Sequence, residues 1–165
     1  MLIELLHDDA QPPRRATAGS AGYDLCAYLK QRTVRCSDGI RAWDAPAEEQ
    51  DGVPVLTLAP GDMALVPLGF KARLPQGVEA QIRPRSGAAF KKALEIPNAP
   101  GTIDSDYPDE WMVIVRNGAL APMRISHGER IAQMVLARYE VAEIEFGPVG
   151  VTTDRVGGFG STGSH

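Results

Sequence analysis

The sequence predicts an all-β domain, on three grounds. Its 17 glycines and 13 prolines cut 165 residues into many brief segments, and the apolar runs between them are short and rich in Val, Ile and Leu. Turn chemistry falls where those runs end. With 44% hydrophobic residues the chain supports one domain with a real core, and many short strands suit a sandwich, jelly roll or barrel.

In chain order the expected strands are residues 2–6, 22–29, 54–58, 63–68, 69–73, 78–84, 111–116, 130–138 and 141–146. Ala59-Pro60-Gly61-Asp62 divides the third from the fourth, and Leu74-Pro75-Gln76-Gly77 divides the fifth from the sixth. Each places Pro and Gly where a tight turn needs a fixed or positive φ. Residues 86–92 form the one expected helix, short, with Ser86 available as its N-cap. In 130–138, Arg130, Ala132 and Met134 alternate with Ile131, Gln133 and Val135, and a Gln on the inward set needs partners from a ligand or an internal hydrogen bond.

Two segments stand apart. Residues 31–52 are polar, contain Asp38-Gly39 and Ala45-Pro46-Ala47-Glu48-Glu49, and read as an excursion from the sheet with a small hairpin through 33–35 and 40–43. A peripheral hairpin is expected there rather than a new site. The tail from Arg155 to His165 places glycines around the single aromatic Phe159, a composition that cannot form a core by itself. It is expected to be a flexible arm that is disordered or orders on a ligand.

Composition narrows the function. A net charge of −4 argues against wrapping duplex nucleic acid, while leaving room for a small anion held by local arginines. No apolar run approaches the roughly 20 residues that span a bilayer, and the first residues lack a signal peptide's basic flank and small-residue cleavage site. A soluble, cytoplasmic protein with no membrane partner is expected. Cys26 and Cys36 lack CxxC spacing and read as ordinary thiols.

Four constellations carry chemistry. Residues 98–107 (Asn98-Ala99-Pro100-Gly101-Thr102-Ile103-Asp104-Ser105-Asp106-Tyr107) gather an amide, two carboxylates and a phenol between turn residues. An Asp beside a bound phosphate can deprotonate a water, and a flanking amide can read a base edge, although a bare D-x-D also suits a turn bonded to its own backbone. Arg83-Pro84-Arg85-Ser86-Gly87 places a guanidinium, a hydroxyl and free N–H groups at a helix start, which suits an anion or simply a capped helix. Gln133 is the third. Asp24, beside Gly22, can face a metal or orient an Arg, with a structural turn role preferred.

Their order is more specific than any one of them. Ala21-Gly22-Tyr23-Asp24-Leu25, Pro84-Arg85-Ser86-Gly87, Gly101-Thr102-Ile103-Asp104-Ser105-Asp106-Tyr107, Gly128-Glu129-Arg130-Ile131-Ala132-Gln133 and Gly157-Gly158-Phe159-Gly160-Ser161-Thr162-Gly163 resemble the five ordered motifs of the trimeric dUTP pyrophosphatases. The resemblance runs from Pro13 nearly to the C-terminus and leaves 31–52 uncovered.

The resemblance implies a distorted jelly-roll or β-clip domain over 1–150, an arm over 151–165 that closes on a neighbouring active site, and a three-fold homotrimer. It implies Mg²⁺-dependent hydrolysis of dUTP to dUMP and pyrophosphate, lowering dUTP and supplying dUMP for thymidylate synthesis. By matching position, Asp104 activates the attacking water, Asn98 contacts uracil, and Tyr107 lies under the deoxyribose and excludes a 2′-hydroxyl. Arg85, Ser86 and Gly87 match the phosphate-binding turn, and Gln133 matches a contact to phosphate or water. Thr102, Ile103 and Met112 match the nucleoside pocket, Phe159 the ring that stacks on uracil, and Arg155 the tail arginine at the terminal phosphate. Mg²⁺ is expected on phosphate oxygens and waters, with no direct protein ligand.

The chain departs from that pattern in two places. After Tyr107, where a basic residue and Gly are usual, Pro108-Asp109-Glu110 follow, and Arg155 stands one residue closer to Phe159 than is usual. Two rivals remain. A dCTP deaminase-like enzyme of the same fold would release ammonia, and a dUTP-sensing module would signal through 31–52.

Overall fold

A computed structural model describes residues 1–150. The segment read as an arm, including Arg155 and Phe159, lies outside the described residues. In chain order the elements are β1 (Leu2–Leu5), β2 (Arg14–Arg15), β3 (Tyr23–Cys26), β4 (Thr33–Ser37), β5 (Ala42–Pro46), β6 (Glu48–Gln50), β7 (Val53–Leu58), β8 (Met63–Pro67), β9 (Phe70–Arg73) and β10 (Val78–Pro84). Then follow α1 (Ser86–Lys92), β11 (Leu94–Glu95), β12 (Gly101–Ile103), β13 (Met112–Asn117), β14 (Met123–Ser126) and β15 (Arg130–Arg138). The all-β expectation with one short helix holds.

Two five-stranded antiparallel sheets, ordered β12-β10-β15-β3-β2 and β11-β13-β8-β4-β5, carry the domain, and the smaller groups β14-β7-β6 and β1-β9 complete it. Strands distant in sequence lie side by side, as β15 does between β10 and β3, which is the crossover habit of jelly-roll folds. Side chains alternate by strand geometry: Val113, Val115 and Asn117 of β13 are buried while Met112 and Arg116 face out. All four groups contribute to one core cluster, in which Trp111, Phe70, Leu25 and Leu29 are fully buried. Phe70 and Trp111 pack with ring centroids 5.4 Å apart.

The turns behave as their residues require. Gly61 and Gly77 have φ of 85° and 76°, and the N–H groups of Asp62 and Val78 reach Ala59 O and Pro75 O. Asn117, buried in the core, donates to Leu58 O and Ala121 O and accepts from Ala119 N–H, each at 2.9 Å. Cys26 and Cys36 are free and buried, and burial pushes both thiols up.

Several expectations need correction. Residues 141–146 do not form a strand; Val141, Ile144 and Phe146 are 83%, 83% and 97% exposed, so among the described residues these side chains are not packed into the core. Ser86 is the first helical residue rather than the N-cap. Arg85 takes that place in extended geometry, without a side-chain capping bond. In β15 a register shift between Arg130 and Ala132 breaks the alternation, so Ile131, Ala132 and Met134 are all buried and Gln133 sits half-exposed, not inward.

The excursion is more than a hairpin. Its arms are β4 and β5, paired from Thr33↔Pro46 to Ser37↔Ala42, so the second arm starts two residues later than the sequence suggested. Yet β4 also pairs with β8, β6 pairs with β7, and Val34 and Cys36 enter the core. It therefore borders two sheets at once.

Candidate active site

The segment 98–107 is half strand. Residues Gly101–Ile103 pair with β10 as Ile82↔Gly101, Gln81↔Thr102 and Ala80↔Ile103, which fixes the side-chain directions before the chain leaves the sheet at Asp104. On β13, Met112 follows the fully buried Trp111, whose backbone N–H meets Phe70 O and whose carbonyl accepts Leu68 N–H, both at 3.0 Å. Between these strands lies a cleft of about 400 Å³. Asn98, Thr102, Ile103, Asp104, Tyr107 and Met112 all line it.

Its lining is mainly apolar with a few polar groups, as small-molecule pockets are. Leu65, Ile82, Val113 and Ile114 supply apolar wall, against which one amide, one hydroxyl, one carboxylate and one phenol converge. The amide needs a gap in the backbone. A Cβ on Gly101 would stand 2.8 Å from Nδ2 of Asn98, so only glycine lets that side chain lie over the strand.

Arg85 and Gly87 line a second cleft, of about 330 Å³, with Lys91, Lys92, Arg130 and Glu129. Four cationic side chains face one carboxylate there, a potential suited to a polyanion. Asp24 orients this cluster. Its Oδ1 accepts from Nε of Arg85 at 2.7 Å and its Oδ2 from Nη1 of Arg130 at 3.0 Å, while Arg85 Nη1 also donates to Arg130 O at 3.1 Å. Asp24 thus orients arginines rather than serving only the structural turn role preferred from the sequence, and the register β15 to β3 makes this possible. Gln133 donates from Nε2 to Pro84 O at 2.9 Å, bracing the entry to the Arg85 turn.

The expected residues therefore fall into two groups. The first cleft gathers Asn98, Thr102, Ile103, Asp104, Tyr107 and Met112; the second gathers Arg85 and Gly87 with Ser86 and Gln133 beside them. The clefts share no lining residue. Arg155 and Phe159 fall outside the described residues. The sequence reading missed Arg130, Lys91 and Lys92, although Arg130 sits in the same quoted motif as Gln133 and both lysines close the helix that Ser86 opens. It also missed Leu65, Ile82, Val113 and Ile114, which carry no chemical signal of their own.

The dUTPase family model matches residues 54–163, more than half of the chain. The chain belongs to the dUTPase family. It is 45% identical over 163 residues to the deoxyuridine 5′-triphosphate nucleotidohydrolase of Rhizobium rhizogenes, covering 96% of this chain and 98% of that one. Among solved structures it is similar to the dUTPase of Streptococcus mutans, with a TM-score of 0.64 at 25% identity over 86% of this chain and 98% of that one. The dUTPase of Staphylococcus bacteriophage 80alpha, solved with dUpNHpp, shares the fold with a TM-score of 0.71 at 23% identity, covering 98% and 97% of the two chains. The two clefts thus belong to a dUTPase-family fold, and both lie on its paired sheet β12-β10-β15-β3 or at its ends.

Proposed function

We propose that this chain is a dUTP diphosphatase that hydrolyses dUTP to dUMP and pyrophosphate through water attack at the α-phosphorus. The observation that carries it is the first cleft, where the six residues expected to hold and attack a deoxynucleotide line one pocket in a chain of the dUTPase family. Asn98 reads the uracil edge, Tyr107 packs under the deoxyribose, and Thr102, Ile103 and Met112 close the pocket. Asp104 takes the proton of the attacking water. Arg85, Ser86, Gly87 and Gln133 bind phosphate.

A triphosphate repels a nucleophile until its charge is neutralised. Arg85 and Arg130, set by Asp24, do part of this. Mg²⁺ would be carried by the phosphate oxygens of the substrate and by waters. Bound there, the ion would supply further charge neutralisation.

The family resemblance implies a homotrimer, and we assign the complete site to it, with the first cleft of one copy meeting the cationic cleft of another. That the two clefts share no lining residue within one chain is compatible with this. Arg155 and Phe159 of the arm would then act on the terminal phosphate and the uracil ring. The resulting activity lowers dUTP and supplies dUMP, in a soluble cytoplasmic protein that binds neither nucleic acid nor membrane. No helix among the described residues is long and apolar enough to cross a membrane.

The test is to incubate the protein with Mg²⁺ and dUTP, dCTP, dTTP or UTP and identify products. Pyrophosphate and dUMP from dUTP alone are expected. Ammonia from dCTP would install deamination instead, and tight dUTP binding without turnover would make the chain a sensor.

A further inference from the structure

The stretch from Asp104 to Glu110 hangs between β12 and β13 by few bonds. Among the described residues its backbone contacts are Tyr107 N–H to Asp104 O and Leu74 N–H to Ser105 O, both long at 3.3 Å. Its far end is held differently. Glu110 is only 12% exposed at the side chain; one carboxylate oxygen accepts Gly69 N–H at 2.9 Å, and the other is bonded by the Arg32 guanidinium. A carboxylate so enclosed is poorly screened, and removing its partner leaves an uncompensated charge.

Arg32 stands at the neck of the excursion. Its N–H closes a turn on Leu29 O at 3.2 Å as the chain leaves the sheet, and its carbonyl accepts Ala47 N–H at 3.0 Å where the hairpin returns. One residue thus joins the start of the excursion to its return through the backbone, and to the candidate active-site segment through the side chain. Two of the features that the family pattern leaves unexplained, residues 31–52 and the segment after Tyr107, meet at this ion pair.

We propose that Arg32 and Glu110 are positioning residues that set Asp104 and Tyr107 against the first cleft, so that the neck of the excursion takes part in selecting deoxyribose over ribose. Tyr107 lies three residues before Glu110, and the ring-locked φ of Pro108 removes one of the few backbone freedoms that could absorb a displacement at Glu110 before it reaches the phenol. Small misplacement of a positioning group is costly to rate even where folding survives. The proposal rests on the deoxynucleotide reading of the cleft.

Steady-state kinetics with dUTP and UTP on Arg32→Met, Glu110→Gln, the double variant and Arg32→Lys tests it, at a temperature well below unfolding of each. Each single variant is expected to lose about tenfold in kcat/KM for dUTP, mostly in kcat, and to discriminate less against UTP. The double variant should be no worse than either single one, and Arg32→Lys should retain most activity. Lower Tm with unchanged kinetic constants and unchanged dUTP preference would make the pair merely structural and overturn the proposal, as would additive losses. Amide hydrogen exchange gives a readout independent of turnover: both single variants should speed exchange at Gly69 and Tyr107. Absent dUTP turnover in the wild type counts against the function, whereas unchanged exchange in the variants counts against the positioning pair. If Glu110→Gln does not fold, Arg32→Met carries both measurements.

Discussion

Asp24 and Arg85, sixty-one positions apart, are joined by a 2.7 Å hydrogen bond from the guanidinium Nε to the carboxylate. The second carboxylate oxygen holds Arg130, so one acidic side chain at 18% exposure aims two cations at the same cleft. Replacing it with Asn keeps the size and removes one charge. Asp24→Asn is expected to raise KM for dUTP about tenfold with a smaller fall in kcat, since phosphate binding is what the arginines serve. An unchanged KM would remove Asp24 from that role.

Asp104→Asn separates binding from chemistry. The amide is nearly isosteric but cannot take a proton, so dUTP affinity by calorimetry should persist while turnover falls by two to four orders of magnitude, about the range for a lost general base. Full hydrolysis in this variant would mean that another group activates the water.

Gly101→Ala tests the seat of Asn98. The added methyl meets the Asn98 amide at 2.8 Å, and because that side chain is exposed it can swing away at little cost to folding. The Tm should barely move, while kcat/KM for dUTP falls about tenfold or more. A large drop in Tm with normal kinetics would show that the strand, not Asn98, had been disturbed.

His127 predicts a pH dependence of stability. Its Nδ1 accepts Leu29 N–H at 3.1 Å, its ring stands edge-on to Tyr28, and Asp9 and Lys30 are nearby. Burial holds the imidazole below its ordinary value of 6.5, against the attraction of Asp9 and with the repulsion of Lys30. The folded state therefore binds fewer protons here than the unfolded chain. Stability is fully present above about pH 6.5 and is lost as pH falls below it toward the lowered value of the folded state. Thermal unfolding between pH 8 and 5.5 should show a steeper decline for the wild type than for His127→Gln, and parallel curves would acquit His127.

Removing the residues after Val156 should cripple dUTP turnover while sedimentation reports the same oligomer as for the full chain, the outcome expected of a lid. A change of oligomer would make the tail part of the assembly.

Much of the fold was legible because its signals are local. The turns at Pro60-Gly61 and Gln76-Gly77, the strands Val78–Pro84 and Arg130–Arg138 and the helix Ser86–Lys92 each follow from residues adjacent in sequence. What the sequence reading missed depends on neighbours far along the chain. Strands β11, β12 and β14 are too short to show a period, and pair only because β13, β10 and β7 present edges to them. Residues 141–146 have the composition of a strand but pair with none of the described strands.

The sequence by itself determined an all-β domain, the family, and the residue types at the candidate site, because turn chemistry, alternation and ordered motifs are written in consecutive positions. Only the tertiary structure decided that those residues divide between two clefts, that Asp24 holds both Arg85 and Arg130, and that Arg32 reaches Glu110. The physical reason is that a hydrogen bond or ion pair between residues sixty or more positions apart depends on strand register and crossover, and no local pattern encodes either.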